Sequence, residues 1–467
     1  MSNKTNTLVK GDTIEVEIES LAFGGQGIAR LDGLTIFVNH AVPGQVLSCE
    51  ITKLKKRFAI AKRLDVITPS KDDVTPFCEH FGTCGGCMHQ DMAYSAQVMW
   101  KGRQVCETFE RIGKISKETK GMGEDTLPSP LEKAYRNRMD FSFEGYGDAL
   151  KIGFKRRGSE TEVVSVGSCP LLPESCAKIS ELVQAYCIKS KIGTHRHGKG
   201  GYWRKLVVRA SHDTGKILIH VITAPSKTHH AIPGLQELLS AEVPELISFA
   251  HSTRIGRPDI ASGERLISLT GKQFITEALN KRDDNPVSYK ITPNAFFQTN
   301  TVGAEVLYQK CLDMADPTTD DVVYDLFCGS GGIGLFMARS AKKVIGFELS
   351  KESIMSAREN AELNSIENCQ FIAANLADKD GVPMELPSAD IIVLDPPRSG
   401  LPSPTLDRIL SLAPKKIVYV SCNPSTLARD AERLEGKYKL TEFTSVDMFP
   451  HTSHVECIAL LTRHAKS

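Results

Sequence analysis

The chain has 467 residues, of which 41% are hydrophobic and 24% charged, room for about two to four domains and a sizeable core. No apolar run reaches the ~18 residues of a membrane span, and the polar start Met1–Thr7 has no signal-type apolar stretch, so a cytoplasmic protein is expected. A formal net charge of +1 does not by itself announce a nucleic-acid binder, while an odd count of thirteen cysteines in a reducing compartment argues against a disulfide framework and for metal binding or catalysis.

Residues 1–67 read as a small barrel. Ile14, Val16 and Ile18 alternate with Glu15, Glu17 and Glu19, the period of a half-buried strand. Two apolar runs flank Asp32-Gly33, a tight-hairpin signal. So many short strands in so few residues suggest the oligonucleotide-binding architecture. Pro69 and Pro76 then mark a linker.

Residues 68–290 read as a central α+β domain. Its start holds Cys78, Cys84 and Cys87, with Gly85 and Gly86 between the last two thiols. Glycines there let the backbone wrap around a metal. A helical stretch through Trp100 and Phe109 follows, and strands are expected at 206–209 and 217–222 around the turn Asp213-Thr214-Gly215. Three basic clusters punctuate the first two regions. One is Lys53, Lys55, Lys56, Arg57, Lys62 and Arg63. A second is Lys151, Lys155, Arg156 and Arg157. The third is Lys189, Lys191, Arg196, Lys199, Arg204 and Lys205, interleaved with Tyr202 and Trp203. Such clusters suit phosphate neutralisation and base stacking, although solvated surface is the simpler reading of any single one.

Residues 291–467 alternate short apolar runs with helical stretches, the pattern of a parallel, doubly wound sheet. The first run ends in Asp325 and a glycine turn, Gly329-Ser330-Gly331-Gly332-Ile333-Gly334, and Glu348 ends the next run 23 residues after Asp325. A carboxylate there can accept ribose hydroxyls. Gly329, Gly331 and Gly334 formally satisfy a dinucleotide fingerprint, which keeps an iron–sulfur dinucleotide oxidoreductase open. An acid ahead of the glycine turn, with Asp395-Pro396-Pro397-Arg398 ending the fourth run, resembles instead the S-adenosylmethionine site of class I methyltransferases. Arg398 stands where amino-group methyltransferases carry an aromatic residue, which argues against an exocyclic amine as target. Val420-Ser421-Cys422-Asn423-Pro424 places a cysteine between a strand end and a helix start, where backbone N–H groups and the helix dipole favour thiolate. A small core cysteine is the plainer alternative.

These pieces together resemble the RNA uracil-C5 methyltransferase family. The likeness runs through Phe296-Phe297-Gln298-Thr299-Asn300, Asp325-Leu326-Phe327-Cys328-Gly329, Asp395-Pro396-Pro397-Arg398-Ser399-Gly400, Ser421-Cys422-Asn423-Pro424 and His454-Val455-Glu456. The barrel resembles the TRAM domain of the branch that modifies 23S rRNA; the tRNA branch typically lacks both barrel and cysteine cluster. The resemblance implies that Gln298, Phe327, Glu348, Asn375 and Asp395 contact S-adenosylmethionine. It implies that Cys422 is the nucleophile and Glu456 the base. It supplies Cys169 as fourth ligand beside Cys78, Cys84 and Cys87, for a [4Fe–4S] cluster with a structural or RNA-shaping role; four thiolates alone would suit zinc as well. A near relative carries asparagine where this chain has Gly332, so a side-chain contact to the cofactor is expected to be lost there. The remaining eight cysteines are expected in the core. Uracil C5 is too weak a nucleophile to attack a sulfonium directly, and thiolate addition at C6 makes it a carbanion equivalent. The expected substrate is a uridine of 23S rRNA, with tRNA the alternative and a non-catalytic RNA-binding module a further one.

Overall fold

The computed structural model describes residues 8–465 apart from 197–199, 228, 257–259, 281–285, 379–380 and 384. Residues 1–7 and Lys199, both used in the sequence reading, lie outside the described residues.

The N-terminal unit is a strand-rich, barrel-like sheet in the order Thr13–Glu17, Val46–Leu54, Phe58–Thr68, Leu34–Asn39, Gly27–Leu31, Ser20–Leu21. Ile14, Val16 and Ile18 point inward with Ile36, Val38, Leu47 and Ala59, as their alternation requires. Asp32 (φ 48°) and Gly33 (φ 81°) are both left-handed, the backbone a two-residue hairpin turn demands. Lys53, Lys55, Lys56, Arg57 and Lys62 stay exposed along one hairpin of this unit.

The middle of the chain builds a seven-stranded sheet, in the order Arg265–Gly271, Leu246–Thr253, Ile217–Thr223, Trp203–Ala210, Arg138–Glu144, Lys151–Lys155, Val163–Ser165. Helices Ile179–Ser190 and Ala231–Glu242 bury Val183 and Leu235 on it. Here the third basic cluster departs from expectation. Trp203 is fully buried and Tyr202 nearly so. Lys205 is buried with its ammonium on Ser142 Oγ at 2.8 Å, and Arg204 donates to the carbonyls of Arg254 and Gly256. Both aromatics belong to the buried core of this domain, so no stacking platform forms from them.

The helix Tyr94–Gly113 does not lie on that sheet. Its Val105 and Phe109 enter the C-terminal core with Leu427, Ala428 and Phe443, Phe109 packing edge-on against Phe443 at 4.7 Å. The C-terminal sheet runs Cys369–Ala373, Lys343–Glu348, Val322–Leu326, Ile391–Leu394, Lys416–Ser421, Glu456–Arg463, Tyr438–Val446. The first five are mutually parallel, as the alternating pattern implies. The last two pair antiparallel with each other, and Glu456–Arg463 is antiparallel to Lys416–Ser421. A wholly parallel sheet is therefore not what forms. Residues 447–455 join the last two strands without a crossover helix, which permits only the antiparallel partnership. Strand order reverses on either side of Val322–Leu326, a switch point at whose carboxyl edge α/β proteins open a ligand crevice.

Candidate active site

The glycine turn after Val322–Leu326 is held from behind. Asp325, almost fully buried, accepts the Gly334 N–H at 2.8 Å, which pins the start of the next helix against the strand end. Phe327 (φ 65°), Gly329 (φ 53°) and Gly331 (φ 86°) are all left-handed. Phe327 pays conformational strain that a glycine would not, and such strain concentrates at functional sites. Glu348 accepts the Ser350 N–H at 2.9 Å and the Gly329 N–H at 3.4 Å, linking two strand ends. The Gln298 carbonyl accepts from Asn137 Nδ2 at 2.7 Å, and Asn375 Oδ1 accepts the Ala377 N–H at 3.1 Å. At Gly332 a Cβ would lie 2.6 Å from Tyr308 Oη, so a side chain there needs Tyr308 to move.

All seven residues named from the sequence for cofactor and chemistry line one cleft of about 800 Å³: Gln298, Phe327, Glu348, Asn375, Asp395, Cys422 and Glu456. Cys422 follows Lys416–Ser421 and precedes Pro424–Leu434, whose cap is Asn423, accepting the Ser425 N–H at 3.1 Å. Glu456 opens the antiparallel strand beside it. The Arg398 charge acts on the Cys422 sulfur, and the guanidinium reaches His454 Nδ1 at 2.9 Å. The loop after Arg398 is tied to the Pro424–Leu434 helix by Asp430, which is fully buried and accepts the Leu401 N–H at 2.8 Å and the Tyr419 hydroxyl at 2.9 Å.

The electrostatics of this corner differ from expectation. Burial and then the Glu456 charge push the Cys422 thiol up, and Arg398 only partly opposes them. The free cleft therefore holds a thiol, and the helix start does not by itself deliver a thiolate. Burial pushes Asp395 up to about 7. Glu456 lies well above the carboxylate range, from burial first and Asp395 second, with Arg398 opposing. Acidic groups thus crowd a partly dry cleft and hold their protons.

Sequence reasoning missed part of the cleft. Arg136 and Phe449 line it, the guanidinium lying 5.9 Å from the Phe449 ring centroid. His454 appears in a quoted motif but was given no role. Arg136 and Phe449 stand in no recognisable pattern, and only the fold brings them to one wall.

Cys78, Cys84, Cys87 and Cys169 line a second, small cavity of about 60 Å³, with Phe81, Phe154 and Leu171 in its walls. All are free thiols. Burial lifts Cys87 to about 12 and Cys169 to about 11. Arg157, from the second basic cluster, is turned inward here and donates to the Cys87 carbonyl. Among the described residues no group of three or more His, Cys, Asp or Glu could hold a metal ion. The thiols share a cavity without gripping a point inside it. Of the other eight cysteines, six are buried, while Cys106 and Cys369 are half-buried.

Comparison with known proteins falls in line with this geometry. The model of the tRNA (Uracil-5-)-methyltransferase family matches residues 253–464, and the TRAM domain model matches residues 8–64. A protein of Nitratidesulfovibrio vulgaris described as an uncharacterized RNA methyltransferase is 36% identical over 98% of this chain and 97% of its own length. One of Clostridium tetani with the same description is 35% identical over 97% of this chain and 98% of its own. Among solved structures, the Pyrococcus abyssi tRNA (uracil-54, C5)-methyltransferase in complex with S-adenosyl-L-homocysteine superposes with a TM-score of 0.75 at 27% identity, covering 96% of this chain and 100% of that one. Coverage so complete leaves no room to omit the barrel. The barrel therefore does not separate an rRNA enzyme from a tRNA enzyme, contrary to the expected contrast.

Proposed function

This chain belongs to the RNA uracil-C5 methyltransferase family, and on that footing we propose that it methylates C5 of a uridine in 23S rRNA, in the cytoplasm, through a covalent Cys422 adduct. The observation that carries the proposal is the single cleft lined by Cys422, Glu456 and Asp395 together with Phe327, Glu348 and Asn375. Family membership displaces the dinucleotide oxidoreductase and the non-catalytic binding module.

The residues fit the chemistry. Glu348, at a strand end beside the glycine turn, is placed to accept ribose hydroxyls. S-adenosylmethionine, when bound, supplies a methyl group on an electrophilic sulfonium. Asp395, costly to ionise in the free cleft, gains a cation for its carboxylate. The target uridine leaves its stack, since C6 is inaccessible within a helix. Cys422 releases its thiol proton to solvent and adds through sulfur to C6, which turns C5 into the nucleophile that takes the methyl group. Glu456, once it has released its own proton to solvent, takes the C5 proton, and Cys422 leaves as the C6–S bond breaks. Arg398, whose charge acts on the Cys422 sulfur, offsets negative charge while that sulfur is free.

The thiol cavity supports a [4Fe–4S] cluster on Cys78, Cys84, Cys87 and Cys169. Four thiolates suit a [4Fe–4S] cluster or zinc, and the resemblance favours the cluster. Visible absorption of protein purified without oxygen tests this; a colourless, zinc-loaded preparation overturns it.

The choice of 23S rRNA rests on the resemblance. A tRNA uridine is the second reading, favoured by the full-length likeness to a tRNA enzyme. Labelled methyl transfer to 23S rRNA and to tRNA, each from a deletion strain, separates the two. Label in tRNA alone refutes the rRNA reading, and label in neither refutes both.

A further inference from the structure

The loop 447–455 that carries Phe449 and His454 into the cleft, and leads into Glu456, is fastened from outside the methyltransferase sheet. The fastening centres on His451. Its backbone is left-handed (φ 65°), a conformation that costs a non-glycine residue and persists only where surroundings enforce it. Its carbonyl accepts two N–H groups, from Met88 at 2.7 Å and His89 at 3.0 Å. These residues directly follow Cys87. Its own N–H donates to Gln97 Oε1 at 2.9 Å, and its ring nitrogens meet Gln97 Nε2 at 3.2 Å and the Glu132 carbonyl at 3.1 Å. Phe77, next to Cys78, packs edge-on against the ring at 5.0 Å. Every hydrogen-bonding group of His451 is thus satisfied by residues 88–132. The barrel meets the same point. At Gly25 (φ +90°) a Cβ would lie 2.8 Å from His89 Nε2 and 3.1 Å from Ser453 Cβ.

We propose that His451 is a positioning residue through which the thiol-bearing segment 77–89 sets the catalytic loop, holding Phe449 and His454 against the incoming base. The proposal builds on the uridine methylation reading and adds to it a purpose for the cysteine segment. The held loop touches the base side of the cleft, whereas Phe327, Glu348 and Asn375, on the cofactor side, stand on other elements. Loosening the loop therefore affects RNA and not cofactor. A small displacement of positioning groups can cost up to about 100-fold in rate.

The test uses the full-length protein, loaded as isolated, in three variants. His451→Gly keeps the left-handed backbone at no steric cost and removes the ring. Gln97→Leu removes the polar partner from the other side. His451→Asn tolerates the left-handed region and restores a side-chain hydrogen-bonding group. The first two are expected to raise amide hydrogen exchange across 447–455 and to raise the KM for RNA, lowering kcat/KM by about 10- to 100-fold. S-adenosylhomocysteine affinity should not change, and His451→Asn should recover part of the loss. Cys87→Ala should also raise exchange in 447–455, since it alters the segment rather than the loop. Unchanged exchange in His451→Gly and Gln97→Leu, or equal losses of cofactor and RNA binding, overturns the proposal. The exchange measurement needs no RNA, so it can fail or succeed separately from the assignment of the reaction.

Discussion

Replacing Glu456 by Gln separates the two halves of the proposed reaction. Glu456 is buried, and burial with Asp395 nearby holds its carboxyl well above the ordinary range. The resting fold therefore already accommodates a neutral group at this position, and an amide of the same shape should leave the melting temperature unchanged. Addition of Cys422 to C6 and methyl transfer to C5 do not consume a base at Glu456. Removal of the C5 proton does. A positioned general base contributes about 10²- to 10⁴-fold, which at about 1.4 kcal/mol per tenfold is about 2.8–5.6 kcal/mol on the elimination barrier. Release should slow by that factor while addition proceeds, so enzyme and methylated RNA accumulate as one covalent species. The assay is a denaturing gel with RNA and methyl-labelled cofactor, in which labelled RNA should migrate with the protein. The double variant Cys422→Ala/Glu456→Gln should show no such band. Turnover at the wild-type rate, or an absence of trapped RNA despite bound substrate, would refute Glu456 as the base.

Asp325 is pushed up to about 8 by burial, against partial relief from the Gly334 N–H. Its folded pKa exceeds the unfolded value near 3.9, so the folded protein retains a proton that the unfolded chain has released, and this group's contribution is lost as pH rises from about 4 through about 8. Asp325→Asn, which can still accept the Gly334 N–H, should therefore gain stability relative to wild type from pH 5 to pH 8, by at most about 5 kcal/mol. Paired thermal melts check this, and a gap that shrinks with pH contradicts it. Lys101 and Asp447 form a buried ion pair at 2.7 Å, with side chains 4% and 0% exposed; Lys101→Met strands the carboxylate and should cost about 3–5 kcal/mol in denaturant unfolding, whereas a loss under about 1 kcal/mol would mean that water already reaches the pair.

Much of the frame was legible because local chemistry and tertiary need coincide in it. Ile14, Val16 and Ile18 alternate because one face of their strand is core, and Asp32-Gly33 turns as only left-handed residues can. The strand ends carrying Asp325, Glu348, Asp395 and Cys422 were visible as apolar runs stopping at polar residues, since a parallel strand buried on both faces has little reason to hold a charge except at its edge. What the sequence hid depends on contacts between distant segments. Tyr202 and Trp203 look like a stacking pair among basic residues, yet alternation within a strand whose neighbours are also covered puts Trp203 in the core. The Tyr94–Gly113 helix reads as part of the middle of the chain but packs Val105 and Phe109 into the C-terminal core. The partners of Lys101 and His451 are equally invisible, because Lys101 lies 346 residues from Asp447 and Gln97 lies 354 from His451.

Cys422 shows how a correct position can carry a wrong charge. A helix start nearby argues for thiolate, but burial and Glu456 act on the same sulfur and raise it. A permanent thiolate would add negative charge to a corner where Asp395 and Glu456 already resist ionising. Arg398 opposes the rise at Cys422 but is itself exposed, so water screens its help. The proton should therefore leave Cys422 when further positive charge enters the cleft. S-adenosylmethionine and S-adenosylhomocysteine have nearly the same shape, and only the first carries a sulfonium charge. Alkylation of Cys422 by iodoacetamide, followed by mass spectrometry of its peptide because twelve other cysteines are present, should be faster with the charged compound bound than with the neutral one. Glu456→Gln should leave the rate with neither bound close to wild type, because the carboxyl already holds its proton in the free cleft. Equal rates with the charged and the neutral compound bound would place thiol activation with the RNA itself rather than with the electrostatics of the cleft.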